Sequence, residues 1–284
     1  MAYAIKFDEE GERFYEVGTK HGVIYPWDTT LNSGKGGYGN GVAWNGLTGV
    51  TESPSGGDET SFWADDMKYF TRRGNEEFGL TIKAFYYPDE FAECDGTKKI
   101  ANGIRIRQQV RKRFGFTWET TLGNDTEGDA YGSIIHIAYG VTASPSSKDD
   151  STINDSADVS DFSWECSTTP ITVPGSKPTS VIDIDLSDAN VPAGAESWLR
   201  ANLYGYVGTE SDEFSTTRTY AIGDIVRKTL SQATGKLYIC TTAVTTAGEW
   251  NENNWEELAD SYNLAANIPS IDAMVSHFGA VANG

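Results

Sequence analysis

The sequence predicts a mainly β protein: a sandwich- or barrel-like domain with minor helices, carrying a small β-rich inserted module. Three observations support this. Apolar residues recur at every second position through most of the patterned chain, and helical spacing is confined to two short stretches. A polar segment near residue 210 sets off a compact block with two tryptophans.

Along the chain, the first segment without a period is 31–60, polar and rich in glycine. It contains "GKGGYG", residues Gly34, Lys35, Gly36, Gly37, Tyr38 and Gly39, which fits the letters of the dinucleotide fingerprint G-x-G-x-x-G. That fingerprint works only where a strand enters the glycines and a helix leaves them, presenting free N–H groups to a pyrophosphate. Here "YPWDTTLNS" upstream is turn-like, "NGVAWNGLTGV" downstream lacks an apolar i, i+3, i+4, i+7 repeat, and Lys35 does not end a G-x-x-x-x-G-K loop. The segment therefore reads as a glycine loop, with no cofactor.

The strands follow. "FGLTIKAFYY" places Phe78, Leu80, Ile82, Ala84 and Tyr86 on one face, and "FGFTWETTL" does the same with Phe114, Phe116, Trp118, Thr120 and Leu122. "SIIHIAYGV" is apolar on nearly both faces, as a strand inside a packed sheet is. "FSWEC" alternates through Phe162, Trp164 and Cys166. "VIDIDLSD" turns Ile182, Ile184 and Leu186 one way, and Asp183 and Asp185 towards solvent or a cavity. The two helical stretches are "PDEFAECDG", with Pro88 in its first turn and Gly96 as its stop, and "SIDAMVSHFG", with Ser270 as N-cap and Ile271, Met274, Val275 and Phe278 on one stripe.

Composition limits function. The net charge of −19 opposes general attraction to nucleic acid or anionic membrane. The absence of a long apolar run and of a signal-peptide pattern predicts a soluble protein made in the cytoplasm, with no membrane insertion. Cys94, Cys166 and Cys240 are odd in number and far apart in the chain, which suggests buried thiols.

No catalytic or metal constellation stands out. His21, His136 and His277 stand alone in the sequence. "GNDTEGDAYG" spaces Asp125, Glu127 and Asp129 like a calcium loop, but His136 stands where an EF-hand needs a bidentate Glu, so a polar turn is expected. Acid pairs such as Asp65 with Asp66 and Asp89 with Glu90 are ordinary in a chain with 41 acids, and no nucleophile elbow is present, so no enzyme is predicted. The one basic cluster, Arg105, Arg107, Arg111, Lys112 and Arg113, reads as ion pairing within the fold or with a neighbouring acidic subunit.

At this point the residues carry a resemblance. "GVAWNGLTGVTESPSGGDET", "ADDMKYF", "EEFGLTIKAFYYPDEFAECDG", "TLGNDTEGDAYG", "GVTASPSSKDDSTINDS", "FSWECSTTPI" and the closing "IPSIDAMVSHFG" resemble, in order, the major tail protein (tail tube protein) of long non-contractile-tailed bacteriophages, chiefly of Gram-positive hosts. The resemblance implies a structural virion protein, assembled in the host cytoplasm, whose hexameric rings stack into a tube. Its partners would be further copies of itself, the tape measure and tail terminator proteins, and double-stranded DNA that passes without specific binding. On this reading Asp183 and Asp185 are candidates for an acidic lumen, with an outer face equally open, and segments 31–60 and 144–158 are candidate stacking loops. Gly34 to Gly41 would be a mobile loop reaching the next subunit or ring, and the basic cluster an inter-subunit ion-pair surface.

Residues 211–260, set within a tail tube domain of 1–210 plus 261–284, are similar to small chitin-binding-like carbohydrate-binding modules. Tyr220, Gly223, Asp224, Tyr238 and Trp255 match framework positions, but the paired-tryptophan platform is replaced by Ile239-Cys240-Thr241-Thr242. The resemblance implies host cell-wall glycan as a partner, with Trp250, Tyr220, Tyr238 and Trp255 as sugar-stacking candidates. The alternative is a free cell-wall lectin with the module as its working part.

Overall fold

The computed structural model describes residues 5–146, 148, 161–231 and 234–279. The expected stacking loop 144–158 lies mostly outside them. The fold is mainly β and divides into two compact units, Met1–Trp27 with Ala43–Ile184, and Asp28–Val42 with Asp185–Gly284. Residues 211–260 thus fall in the second unit together with the closing helix.

The strands of the first unit are β1 (Tyr15–Asp28), β2 (Leu47–Glu52), β3 (Glu59–Ala64), β4 (Met67–Arg73), β5 (Gly79–Ala84), β6 (Lys98–Ala101), β7 (Ile104–Ile106), β8 (Phe114–Asn124), β9 (Gly128–Ala143), β10 (Phe162–Ser167) and β11 (Val181–Asp185). They pair antiparallel in the order β1-β8-β9-β10-β5-β2, with β11 also on β9. Strand β9 links the two halves of this path. It pairs with β8 along most of its length and with β10 at Thr142↔Ser167 and Ala143↔Cys166.

A bulge makes that change of partner possible. The register moves from Phe116↔Ala138 to Phe114↔Val141, and Gly140 sits there at φ 58°. A Cβ on Gly140 would lie 2.6 Å from the Thr169 carbonyl oxygen, so only glycine fits. The two halves then face each other across an aromatic core. Trp44 lies 4.6 Å from Phe91, 5.6 Å from Phe116 of β8 and 5.5 Å from Trp164 of β10, measured between ring centroids.

The predicted strand faces are present. Leu80, Ile82 and Ala84 are buried on β5, Trp164 and Cys166 on β10, and β8 is buried on both sides at its start. Tyr86 does not join its expected face, because β5 ends at Ala84 and Tyr86 is exposed. The helix expected over 88–96 is only a 3₁₀ turn, Asp89–Phe91, set by extended Pro88 and anchored by buried Phe91. The polar turn between β8 and β9 forms as expected: Asn124 Oδ1 accepts the N–H groups of Thr126 and Glu127, and Asp125 accepts Gly11 N–H.

In the second unit, helix α1 (Ala195–Tyr204) meets α2 (Ile271–Phe278). Ser270 caps α2 by accepting the Ala273 N–H, Met274 is buried, and His277 stacks on Trp198 of α1 with ring centroids 3.9 Å apart. Strands β12 (Ile225–Ser231), β13 (Thr234–Cys240) and β14 (Trp255–Ala259) form a separate three-stranded sheet. Its core is Tyr220, Val226, Cys240 and Trp255.

Candidate assembly surfaces

The most unusual surface is the β3–β4 hairpin, which falls mostly beyond the segment expected as a loop. Asp65 and Asp66 make a two-residue turn with φ 50° and 61°, the positive values a primed turn needs. They are turn residues here, not an acid–base pair. The ladder runs from Glu59↔Arg73 to Ala64↔Met67 and continues at the base through Ser55↔Glu77 and Gly56↔Glu76. Phe62 and Phe70 stack across it with ring centroids 4.6 Å apart. The large apolar side chains remain outside: Trp63 and Tyr69 are each 70% exposed, Met67 61% and Phe70 50%. Isolated exposed apolar residues are ordinary, but a concentration of this kind marks an interaction surface.

A second hairpin, β6–β7, turns at Gly103 and exposes Ile100, Ile104 and Ile106. Beside it lies the basic cluster, and three of its members pair within the fold, the first of the two readings its sequence allows. Arg105 pairs with Asp89 at 2.7 Å, Arg111 with Asp95 at 3.3 Å, and Lys112 with Glu93. Arg111 also donates to the Ala143 carbonyl, and the Arg113 guanidinium lies 3.6 Å over the Trp27 ring. These four side chains make contacts within the subunit, three of them ion pairs, and Arg107 and Arg113 have no ion pair among the described residues. The Arg105 hydrogen bond in turn holds the Asp89 carboxyl below its ordinary range, which does not suit a general acid.

The glycine segment carries local hydrogen-bonded structure. Leu31–Gly34 forms a helical turn in which Asn32 and Ser33 are left-handed, Gly36 N–H donates to the Leu31 carbonyl, and Asn32 Nδ2 donates to the Gly36 carbonyl. Gly36 is buried and Gly37–Tyr38 forms a two-residue strand. Lys35 is exposed, Gly39 is half-buried, and Gly41 N–H donates to the Ala266 carbonyl at 2.8 Å. No helix leaves these glycines, as the flanking sequence predicts.

In the small module, two of the four sugar-stacking candidates are corrected. Tyr220 and Trp255 are 5% and 8% exposed and form the module's own core, so neither offers a ring to a ligand. Trp250 packs one face on Trp255, at 4.9 Å and 12° between ring planes, and Lys228 Nζ sits 3.9 Å from its ring centroid. Tyr238 packs edge-on to Trp250. A cleft of about 570 Å³ in the same unit is lined by Arg200, Tyr204, Tyr206, Asp212, Arg218 and Asp224, among others.

The lumen candidates Asp183 and Asp185 are both exposed, as the alternation predicts, with Ile184 buried between them. Their carboxylates are nevertheless engaged: Asp183 Oδ1 lies 2.7 Å from His136 Nδ1, and Asp185 Oδ1 accepts from Ser187 N–H and Oγ–H. The histidines do not stand alone in space. His21 meets buried Glu119 at 2.8 Å, and His277 meets Glu256 at 3.3 Å. The three thiols are buried as expected, and burial pushes Cys94 and Cys166 up to about 12.

No family model matches the chain, and no curated protein matches it. Among solved structures it is similar to a chain of the sheath–tube complex of the PVC extracellular contractile injection system, at 13% identity and TM-score 0.31 over 64% of this chain and 95% of that one. It is similar to a chain of the anti-feeding prophage baseplate, at 8% identity and TM-score 0.31 over 63% and 97%. A third likeness is to a chain of the PVC sheath/tube terminator, at 12% identity and TM-score 0.28 over 64% and 99%. TM-scores this low say nothing by themselves about what the chain does. Among the described residues, no helix is long and apolar enough to cross a membrane.

Proposed function

We propose that this chain is the repeating subunit of a phage-type tail tube, a structural protein whose copies close into rings, hexameric in the related family, that stack end to end. The observation that carries the reading is the β3–β4 hairpin, a ladder whose aromatic side chains are left largely exposed by the described residues. A tube requires unlike surfaces that meet and propagate, and exposed strands with apolar side chains are suited to that. The collinear sequence blocks supply the family, and the hairpin and the β6–β7 edge supply the surfaces.

The acidic chain suits a conduit. With a net charge of −19, phosphates passing a lumen find few cations to grip them, so DNA would slide without specific binding. Asp183 and Asp185 are our candidates for lumen-facing acids. Tape measure and terminator proteins are the further partners this reading calls for, and the virion its location. Host glycan, as the module's partner, suits the polar, tyrosine-lined cleft better than Trp255, buried in the module core, or Trp250, packed against it.

Electron microscopy of the purified chain tests the proposal. Rings or tubes of uniform diameter are expected on concentration. A species that stays monomeric under every assembly condition contradicts it.

A further inference from the structure

One polar cluster joins the lumen candidate Asp183 to two residues given no role so far. His136, on β9, is buried between strands, and its ring is fixed by stacking on Trp118 at 4.8 Å and 13°. Glu52 closes β2, and Asp183 lies on β11. One ligand atom from each of Glu52, His136 and Asp183 lies within 4.8 Å of the others.

The hydrogen bonds around the ring fix its tautomer. Thr120 Oγ1 has one proton and donates it to Glu16 Oε1 at 2.6 Å. It must therefore accept from His136 Nε2–H, 2.9 Å away. Nδ1 is left facing Asp183 Oδ1 at 2.7 Å. A lone pair and a carboxylate oxygen at that separation repel each other unless a cation lies between or beside them.

A proton on Nδ1 satisfies Asp183 and leaves Glu52 unserved. The Glu52 carboxylate has no hydrogen bond or ion pair among the described residues. A divalent ion serves all three groups at once. A ligating imidazole characteristically donates its other N–H to an acceptor that orients it, and Thr120, held by Glu16, is such an acceptor here.

We propose that Glu52, His136 and Asp183 form a divalent metal site of one imidazole nitrogen and two carboxylate oxygens, with a further coordination position open. This donor set suits Zn²⁺ and neighbouring first-row ions better than the all-oxygen preference of Ca²⁺. The ion would clip β2, β9 and β11 together within one subunit, so the inference does not depend on tube assembly.

Equilibrium dialysis of the purified full-length chain against Zn²⁺ is the test, with Co²⁺ loading read by its visible absorption. One tightly held Zn²⁺ per chain is expected, and Asp183→Asn and Glu52→Gln, both at exposed positions, should each weaken it at least tenfold while far-ultraviolet circular dichroism stays unchanged. Thr120→Val should weaken it about tenfold to a hundredfold through loss of that acceptor alone. Failure to retain Zn²⁺, equal retention by the parent and the Asp183→Asn chain, or displacement of Zn²⁺ by equimolar Ca²⁺ would each overturn the proposal.

Discussion

Two hairpins of the first unit are built alike and buried differently. Both β8–β9 and β3–β4 are antiparallel pairs closed by short acidic turns, and both carry aromatic residues on their ladders. In β8–β9 the apolar side chains meet the rest of the subunit, and Phe114, Phe116 and Ile137 are fully buried. In β3–β4 the same residue types face outward. The contrast separates aromatics that hold the fold from aromatics free to hold a neighbour. Burial, and not aromatic content, distinguishes the two.

The comparison can be broken first at the buried end. Trp164→Ala removes a fully buried ring from between the two halves of the sheet and should cost about 3–5 kcal/mol, read as a lower urea midpoint. Intact stability would mean that the core lies elsewhere. Gly140→Ala comes next, at about 2–3 kcal/mol, because its Cβ would press on the Thr169 carbonyl at φ 58°. A thermal midpoint equal to the parent's would contradict the bulge as a fixed corner. At the exposed end, Phe70→Ala loses one cross-strand stack and should change subunit stability by no more than about 1 kcal/mol. A larger loss would place that ring among the residues that hold the fold.

The smallest effect is chemical. Cys94 and Cys166, pushed up to about 12 by burial, stay protonated at pH 8 and should not react with a thiol reagent until the chain unfolds. Rapid labelling of the native protein would show that this part of the core opens.

Much of the fold was legible because it obeys local rules. Alternation in "FGLTIKAF" and "FSWEC" placed Leu80, Ile82 and Trp164 inside, and Ser270 marked the start of α2. Helix α1 was missed, although Ala195, Trp198 and Leu199 have helical spacing and Glu196 pairs with Arg200 four residues on. Only Glu59 and Thr60 of the β3–β4 hairpin fall in the segment read as a loop for its polarity and glycines, and the rest drew no strand assignment because it has no buried face to mark a period.

The sites were less legible for a physical reason. His21, His136 and His277 find their carboxylates at Glu119, Asp183 and Glu256, far along the chain and on other elements, where no spacing rule reaches. The basic cluster was legible as a source of ion pairs but its partners were not: Arg105, Arg111 and Lys112 meet Asp89, Asp95 and Glu93 on the neighbouring turn. The glycine segment also changes as a target: a Cβ on Gly37 would come 2.8 Å from Asn32 Nδ2 and Gly36 sits at φ 83°, so alanine there disturbs the subunit itself, and Lys35 is the cleaner probe.

The most direct measurement is sedimentation and electron microscopy of the Trp63→Ser, Tyr69→Ser double variant beside the parent chain. Both residues are 70% exposed, so the subunit should keep its thermal midpoint to within about 0.5 kcal/mol of stability. Parent protein that assembles into rings and tubes, with a folded variant that remains monomeric, is the predicted result. A variant that assembles as readily as the parent would contradict the assignment of the β3–β4 hairpin as the assembly surface.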